Sequence, residues 1–159
     1  MSNTPATRRQ PYPGRAMGID LGEKRIGIAV SDQTRLIASA HSVMKRKSRA
    51  EDFERFARFI AEQQITLIVM GLPITLAGHE GDRAAWVRDY TADLCNHIDV
   101  PVVYWDESLS TKQAEASLRA QGKRGRKIRE HVDAVAAAVI LQSYLDADRP
   151  PLEQPDDFE

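Results

Sequence analysis

The chain has 159 residues, 42% of them hydrophobic and 28% charged, with a formal net charge of -1, which suits one folded domain with its own core. No apolar run reaches the roughly 18 residues that a membrane span needs, and the polar, Arg-containing N-terminus has no apolar stretch of a secretory signal. A single cysteine, Cys95, excludes an internal disulfide and suits a reducing cytoplasm.

In chain order, residues 1–14 lack periodicity and are expected to be a disordered lead. Met17, Ile19 and Leu21 then alternate with Gly18, Asp20 and Gly22, and Ile26, Ile28 and Val30 with Gly27, Ala29 and Ser31. This is the pattern of a hairpin with an apolar face and a face of very small residues. One carboxylate, Asp20, stands in the small face, where there is room for something to approach closely, such as a metal ion holding a phosphate. Lys24 and Arg25, in the turn beside it, are candidates to hold a substrate phosphate. Leu36 to Val43 is the expected third strand, completing an antiparallel meander.

Ser48 with Glu51 three residues on forms a capping box ahead of a helix whose apolar face is Phe53, Phe56, Ala57 and Ile60. Ile65 to Met70 is a near-continuous apolar run ending at Gly71, as in a buried parallel strand. The loop from Gly71-Leu72-Pro73 through Gly78 and Gly81 precedes a helix from Asp82, with Val87, Tyr90, Leu94 and Ile98 on one face. Val102 to Trp105 is the next strand, closed by Asp106-Glu107. Ser110 to Ala120 reads as a helix ending at Gly122, and residues 122–129 as a basic loop. Val132, Val135, Ala136, Val139 and Ile140 form the buried face of a last helix. A domain over 15–146 and an acidic disordered tail over 147–159 complete the expected organisation.

The order of elements predicts an α/β domain with a mixed sheet, antiparallel and then parallel, flanked by helices. Ligands of such sheets gather at the carboxyl ends of parallel strands, where Gly71 and Glu107 lie, with Asp20 on a neighbouring strand. Asp133 is set among Val132, Ala134, Val135 and Ala136, where an acid calls for a partner or a metal. Acids sharing a site repel and need cations, and Mg²⁺ takes hard oxygen ligands. Two such ions roughly 4 Å apart support phosphodiester hydrolysis. Alternation alone does not decide whether Asp106 or Glu107 faces Asp20.

The net charge conceals unlike segments. Arg119, Lys123, Arg124, Arg126, Lys127 and Arg129 have no acid among them, and Lys45, Arg46, Lys47 and Arg49 form a second run. The tail instead carries Asp148, Glu153, Asp156, Asp157 and Glu159. Basic runs within a domain suggest a polyanionic partner, and Lys123, Arg124, Arg126 and Lys127 are the residues expected to grip a phosphate backbone.

The chain resembles the YqgF family, relatives of RuvC-type Holliday junction resolvases with a ribonuclease H-like fold. The resemblance rests on Gly18-Ile19-Asp20-Leu21-Gly22 running through Lys24-Arg25-Ile26-Gly27 to Asp32, and on Gly71-Leu72-Pro73 with Gly78 and Gly81. It continues in Asp106-Glu107-Ser108-Leu109-Ser110-Thr111 and Val132-Asp133-Ala134-Val135-Ala136-Ala137. It implies that Asp20, Glu107 and Asp133 are the catalytic and metal-binding acids, holding Mg²⁺ or Mn²⁺. It also implies a metal-dependent nuclease in 5′-end maturation of precursor 16S ribosomal RNA, with that RNA or ribosomal particles as partners. A structure-specific nuclease acting on branched DNA and a non-catalytic RNA-binding assembly factor are the alternatives. An actin-like ATPase, suggested by Asp20-Leu21-Gly22, would need two such domains. Ser108 stands where the family usually has Arg, Thr75 where Asn is common, and His131 where Lys is frequent.

Overall fold

A computed structural model describes residues 12–108 and 126–147, with side chains from 132 onward in the second segment. The alternating hairpin forms β1 (Arg15–Leu21) and β2 (Arg25–Ser31), antiparallel with Asp20 opposite Gly27. β3 (Ala38–Lys45) adds antiparallel to β2, while β4 (Ile65–Leu72) and β5 (Val102–Asp106) continue the sheet in parallel on the other side of β1. The strand order is β3-β2-β1-β4-β5, the mixed sheet expected from the sequence.

The two faces of the hairpin have different coverings. Met17, Ile19, Leu21, Ile26 and Ile28 join Ile68, Met70 and Tyr104 under α1 (Arg49–Gln63) and α2 (Asp82–Cys95), which contribute Phe53, Phe56, Val87, Tyr90 and Leu94. On the opposite face Ala16, Ala29, Val69, Val103 and Trp105 pack under α3 (Arg126–Asp146) through Ala137, Ile140 and Leu141. Much of the room on the small-residue face is therefore filled by a helix. A Cβ at Gly27 would come within 1.9 Å of the Asp133 carbonyl oxygen, and one at Gly18 within 2.8 Å of that of Ala137. Glycines set how near α3 lies, and among the described residues the Asp20 end of the face borders a cleft. Further along α3, the Ser143 hydroxyl accepts from Trp105 Nε1 at 3.0 Å, and Gln142 bridges to the backbone of Leu36 and Ala38.

Some boundaries differ from expectation. β3 starts at Ala38, because the Asp32 carboxylate takes the amides of Leu36 and Ile37 at 2.9 Å each, removing them from any ladder. Those two side chains are 69% and 65% exposed. β4 runs on to Leu72, with Gly71 opposite Trp105 and Leu72 opposite Asp106. Ser48 caps α1 as expected: the Glu51 amide donates to Ser48 Oγ at 3.2 Å, and the Glu51 carboxylate accepts from that hydroxyl at 3.1 Å rather than completing the box on the backbone amide. Ala57 is exposed rather than on the buried face, and Ile98 packs against the core from beyond the end of α2. Arg126 to Arg129 belong to α3 rather than to a loop. The expected helix over 110–120, the lead over 1–11 and the tail from 148 lie outside the described residues. Gly14 donates its amide to Gln33, and the Arg35 side chain donates to the carbonyls of Pro13 and Gly14. Among the described residues no helix is long and apolar enough to cross a membrane.

Candidate active site

Asp20, Glu107 and Asp133 line one cleft of about 400 Å³, together with Gly22, Pro73, Ile74, Arg83 and Ser108. Each acid is positioned by a different element. Asp20 is the sixth residue of β1, on the face that β1 turns toward α3. Glu107 follows β5, its amide held by the Leu72 carbonyl at 3.1 Å. Its carboxylate lies over Gly71, where a Cβ would be 2.7 Å from Oε2. Asp106 is exposed and accepts from the Ser108 amide at 2.8 Å, so Glu107 is the member of the pair that faces Asp20. Asp133 enters from the second turn of α3, brought down by the contact of its own carbonyl with Gly27.

The carboxyl groups of Asp20 and Glu107 are hydrogen-bonded to each other. Two carboxylates can do this only if one is protonated. Burial pushes the Glu107 carboxyl up to about 8, and the negative charge of Asp20 adds to the effect, while the Arg83 guanidinium opposes it. Burial also raises Asp20, helped by the charge of Asp133 and countered by Arg83. The pair therefore holds a proton near neutral pH. Asp133 is engaged otherwise, accepting from Arg25 Nε at 3.1 Å. Among the described residues no three acids or other ligating side chains form a ready-made metal cage. The donors that the cleft does offer are carboxylate oxygens, which suit a hard divalent cation better than a soft one.

Of the cationic residues expected to meet nucleic acid, Lys24 is exposed in the β1–β2 turn and Arg25 has 60% of its side chain exposed beside Asp133. Arg126 and Lys127 begin α3, and Lys123 and Arg124 lie outside the described residues. Of the run at 45–49, the two arginines are engaged within the fold. Arg46 stands 3.6 Å from the fully buried Asp52, stacks over Trp86 and Tyr90, and donates to the Glu23 carbonyl. Arg49 pairs with Asp89 and Asp93. Both are committed to acids of the fold and brace α1, α2 and the hairpin turn, while Lys45 and Lys47 are exposed.

Arg83 was not singled out by sequence reasoning. The signal was a cation four residues ahead of Val87 on the stripe Val87, Tyr90, Leu94, which places it on the core-facing side of α2 at its open end.

A profile of the family described as "RuvX: Holliday junction resolvase" matches residues 14–147. The chain is 43% identical over 148 residues to a protein of Myxococcus xanthus named "Putative pre-16S rRNA nuclease", covering 91% of this chain and 97% of the relative. It is 38% identical over 137 residues to a protein of the same name from a Roseiflexus species, covering 86% and 97%. Among solved structures it is similar to RuvC of Thermus thermophilus in complex with a Holliday junction substrate. That likeness has a TM-score of 0.55 at 16% identity and covers 87% of this chain and 99% of that one. A fowlpox virus resolvase in complex with junction DNA aligns with a TM-score of 0.52 at 10% identity, covering 83% and 97%. At these identities the two structures speak for a shared RuvC-like, ribonuclease H-like fold.

Proposed function

The chain belongs to the RuvX family of Holliday junction resolvases, and from that premise we propose that it is a metal-dependent nuclease of precursor 16S ribosomal RNA. The observation that carries the reading is the Asp20–Glu107 carboxyl pair, facing Asp133 across one open cleft. A buried acid pair that keeps a proton is costly to charge, and a divalent cation bound there would offset that charge in place of the proton. Asp20, Glu107 and Asp133 would hold Mg²⁺ or Mn²⁺ through carboxylate oxygens, and Arg25, now on Asp133, would be available to a substrate phosphate. When bound, the cation supplies an activated water and stabilisation of charge on the departing oxygen. β1, the end of β5 and α3 bring the acids to one end of the sheet. Lys24, Arg25, Arg126 and Lys127, with Lys123 and Arg124 ahead of them, supply the positive charge that draws the backbone to the cleft. Cytoplasmic ribosome maturation is the setting proposed for this activity. The names of the relatives at 38% and 43% identity support RNA as the substrate.

A second reading, cleavage of branched DNA, is favoured by the family description. Purified protein is incubated with labelled precursor 16S RNA and with a four-way DNA junction, in Mg²⁺ and then with chelator. Chelator-sensitive cutting of the RNA is the expected result, and cutting of the junction alone selects the second reading. Asp20→Asn keeps the size of the side chain and one oxygen, so it is expected to abolish cutting while leaving folding and nucleic-acid binding in place. Full activity in a folded Asp20→Asn protein would remove the acids from the chemistry and leave a binding factor as the better account.

A further inference from the structure

We propose that Arg83 grips the non-bridging oxygens of the phosphodiester that enters the acid cleft. The inference rests on the nuclease reading and adds to it a residue that the three acids do not supply. Among the described residues that line the cleft, Arg83 is the sole cation. An acidic cleft repels a phosphodiester, and a cation in its wall offsets part of that repulsion from within, not from a distance.

The anchoring of Arg83 leaves its guanidinium suited to an incoming anion. Nη2 donates to the Leu21 carbonyl at 3.2 Å, which fixes the side chain against the residue next to Asp20. Its ion pair to Glu23, at 3.9 Å, is longer than a hydrogen bond, and Glu23 is itself 81% exposed. The indole of Trp86, 5.8 Å away, lies beneath the guanidinium as a platform. The Arg83 side chain remains 47% exposed. A guanidinium has five N–H groups in a rigid fork that matches two phosphate oxygens. One is used on Leu21, so the fork is oriented but not filled. The root of the side chain is in the first turn of α2, a packed element, which gives the grip a fixed origin.

A counter-ion serving only to neutralise the acids would be expected to sit on them. Arg83 acts on Asp20 and Glu107 through its charge, yet its hydrogen bond goes to a backbone carbonyl and its ion pair to Glu23. Arg25 is on Asp133, which leaves Arg83 as the cation that the described cleft lining itself offers to a phosphodiester.

The test compares wild type, Arg83→Gln and Arg83→Lys on labelled precursor 16S leader RNA and on a four-way DNA junction. Binding is measured in Ca²⁺ against salt concentration, and single-turnover cleavage in Mg²⁺, with thermal melting to confirm folding. Arg83→Gln is expected to make the slope of log affinity against log salt shallower by roughly 0.7–0.9 and to slow cleavage by about a hundredfold. Arg83→Lys keeps a charge without the fork, so it is expected to recover the salt slope but not the rate. A wild-type slope and rate in Arg83→Gln would overturn the inference, and so would full recovery of rate by Arg83→Lys, because a diffuse field would then suffice. Wild-type protein that cuts with Arg83→Gln unimpaired sinks the Arg83 grip alone. Wild-type protein that binds and cuts neither substrate sinks the nuclease reading, and the grip with it.

Discussion

The proton shared by Asp20 and Glu107 makes stability depend on pH in a definite direction. Glu107 has an ordinary value of 4.5 and is raised to about 8 in the fold. Between those values the folded protein holds a proton that the unfolded chain has released. Its contribution to stability is present below the ordinary value and is lost as pH rises through the folded one. The limiting slope is about 1.4 kcal/mol per pH unit. From about pH 6 to about pH 8 the metal-free protein is expected to lose about 2 kcal/mol, a fall in Tm of roughly 4–8 °C for a chain of this size. Glu107→Gln keeps a hydrogen-bond donor for Asp20 and has no proton to lose, so its Tm should hardly change over that range. The assay is thermal melting of both proteins in chelator across that range, read as the difference between the curves, so that histidines common to both cancel. Mg²⁺ should close the gap at the alkaline end and release about one proton per ion bound near pH 7, measurable by calorimetry in buffers of different ionisation heat. Parallel melting curves for wild type and Glu107→Gln would refute the shared proton, and with it the argument that a cation replaces it.

Gly27→Ala would place a Cβ 1.9 Å from the Asp133 carbonyl oxygen, which backbone cannot yield cheaply. Overpacking of about 1–3 kcal/mol is expected, with loss of cleavage exceeding the loss of stability because Asp133 is pushed away, as denaturant melts and rate measurements on the same protein would show. Asp52→Asn strips the charge that faces Arg46 and Arg55, and should cost stability toward the lower end of about 3–5 kcal/mol, since both arginines keep some access to water. Removing Arg126 and Lys127 together is expected to make the salt dependence of nucleic-acid binding shallower by roughly 0.7–0.9 per contact, and an unchanged slope would mean that they do not touch phosphate.

How much of this was legible depended on how local the cause was. The hairpin faces followed from alternation, because Met17, Ile19 and Leu21 and their small neighbours obey the strand period wherever the strand lies. The start of β3 did not, because Leu36 and Ile37 look like strand residues until the Asp32 side chain takes their amides. The cap at Ser48 was local and legible. Asp52, one residue before Phe53 on the same helix, was not, since its partners Arg46 and Tyr90 reach it from other parts of the chain. Within the site, Asp20 stood out as the acid of an otherwise small face. The choice of Glu107 over Asp106 needed the family resemblance, because neighbouring strand residues face opposite ways and the period cannot say which way is in. Arg83 was passed over because the reading of α2 followed apolar residues and stopped before the cation at its end.

The chain contains two buried acidic centres of opposite kinds, and the contrast argues for which one is functional. Asp52 is fully buried and surrounded: Arg55 at 2.5 Å, Arg46 at 3.6 Å, the Tyr90 hydroxyl at 3.1 Å and the Lys47 amide at 2.9 Å. Its charge is met by fixed groups of the same chain, so it fastens α1 to α2 and leaves nothing for a ligand to add. Asp20 and Glu107 are arranged differently. They lean on each other through a proton, with Arg83 acting from the side and Asp133 turned to Arg25. At the end of the sheet two carboxyl groups are kept against each other in a cleft, at a cost in stability that appears as pH rises. Such a cost is expected where a cation and a phosphate would complete a site, and it is the physical ground on which the chemistry is proposed for Asp20, Glu107 and Asp133 and not for Asp52.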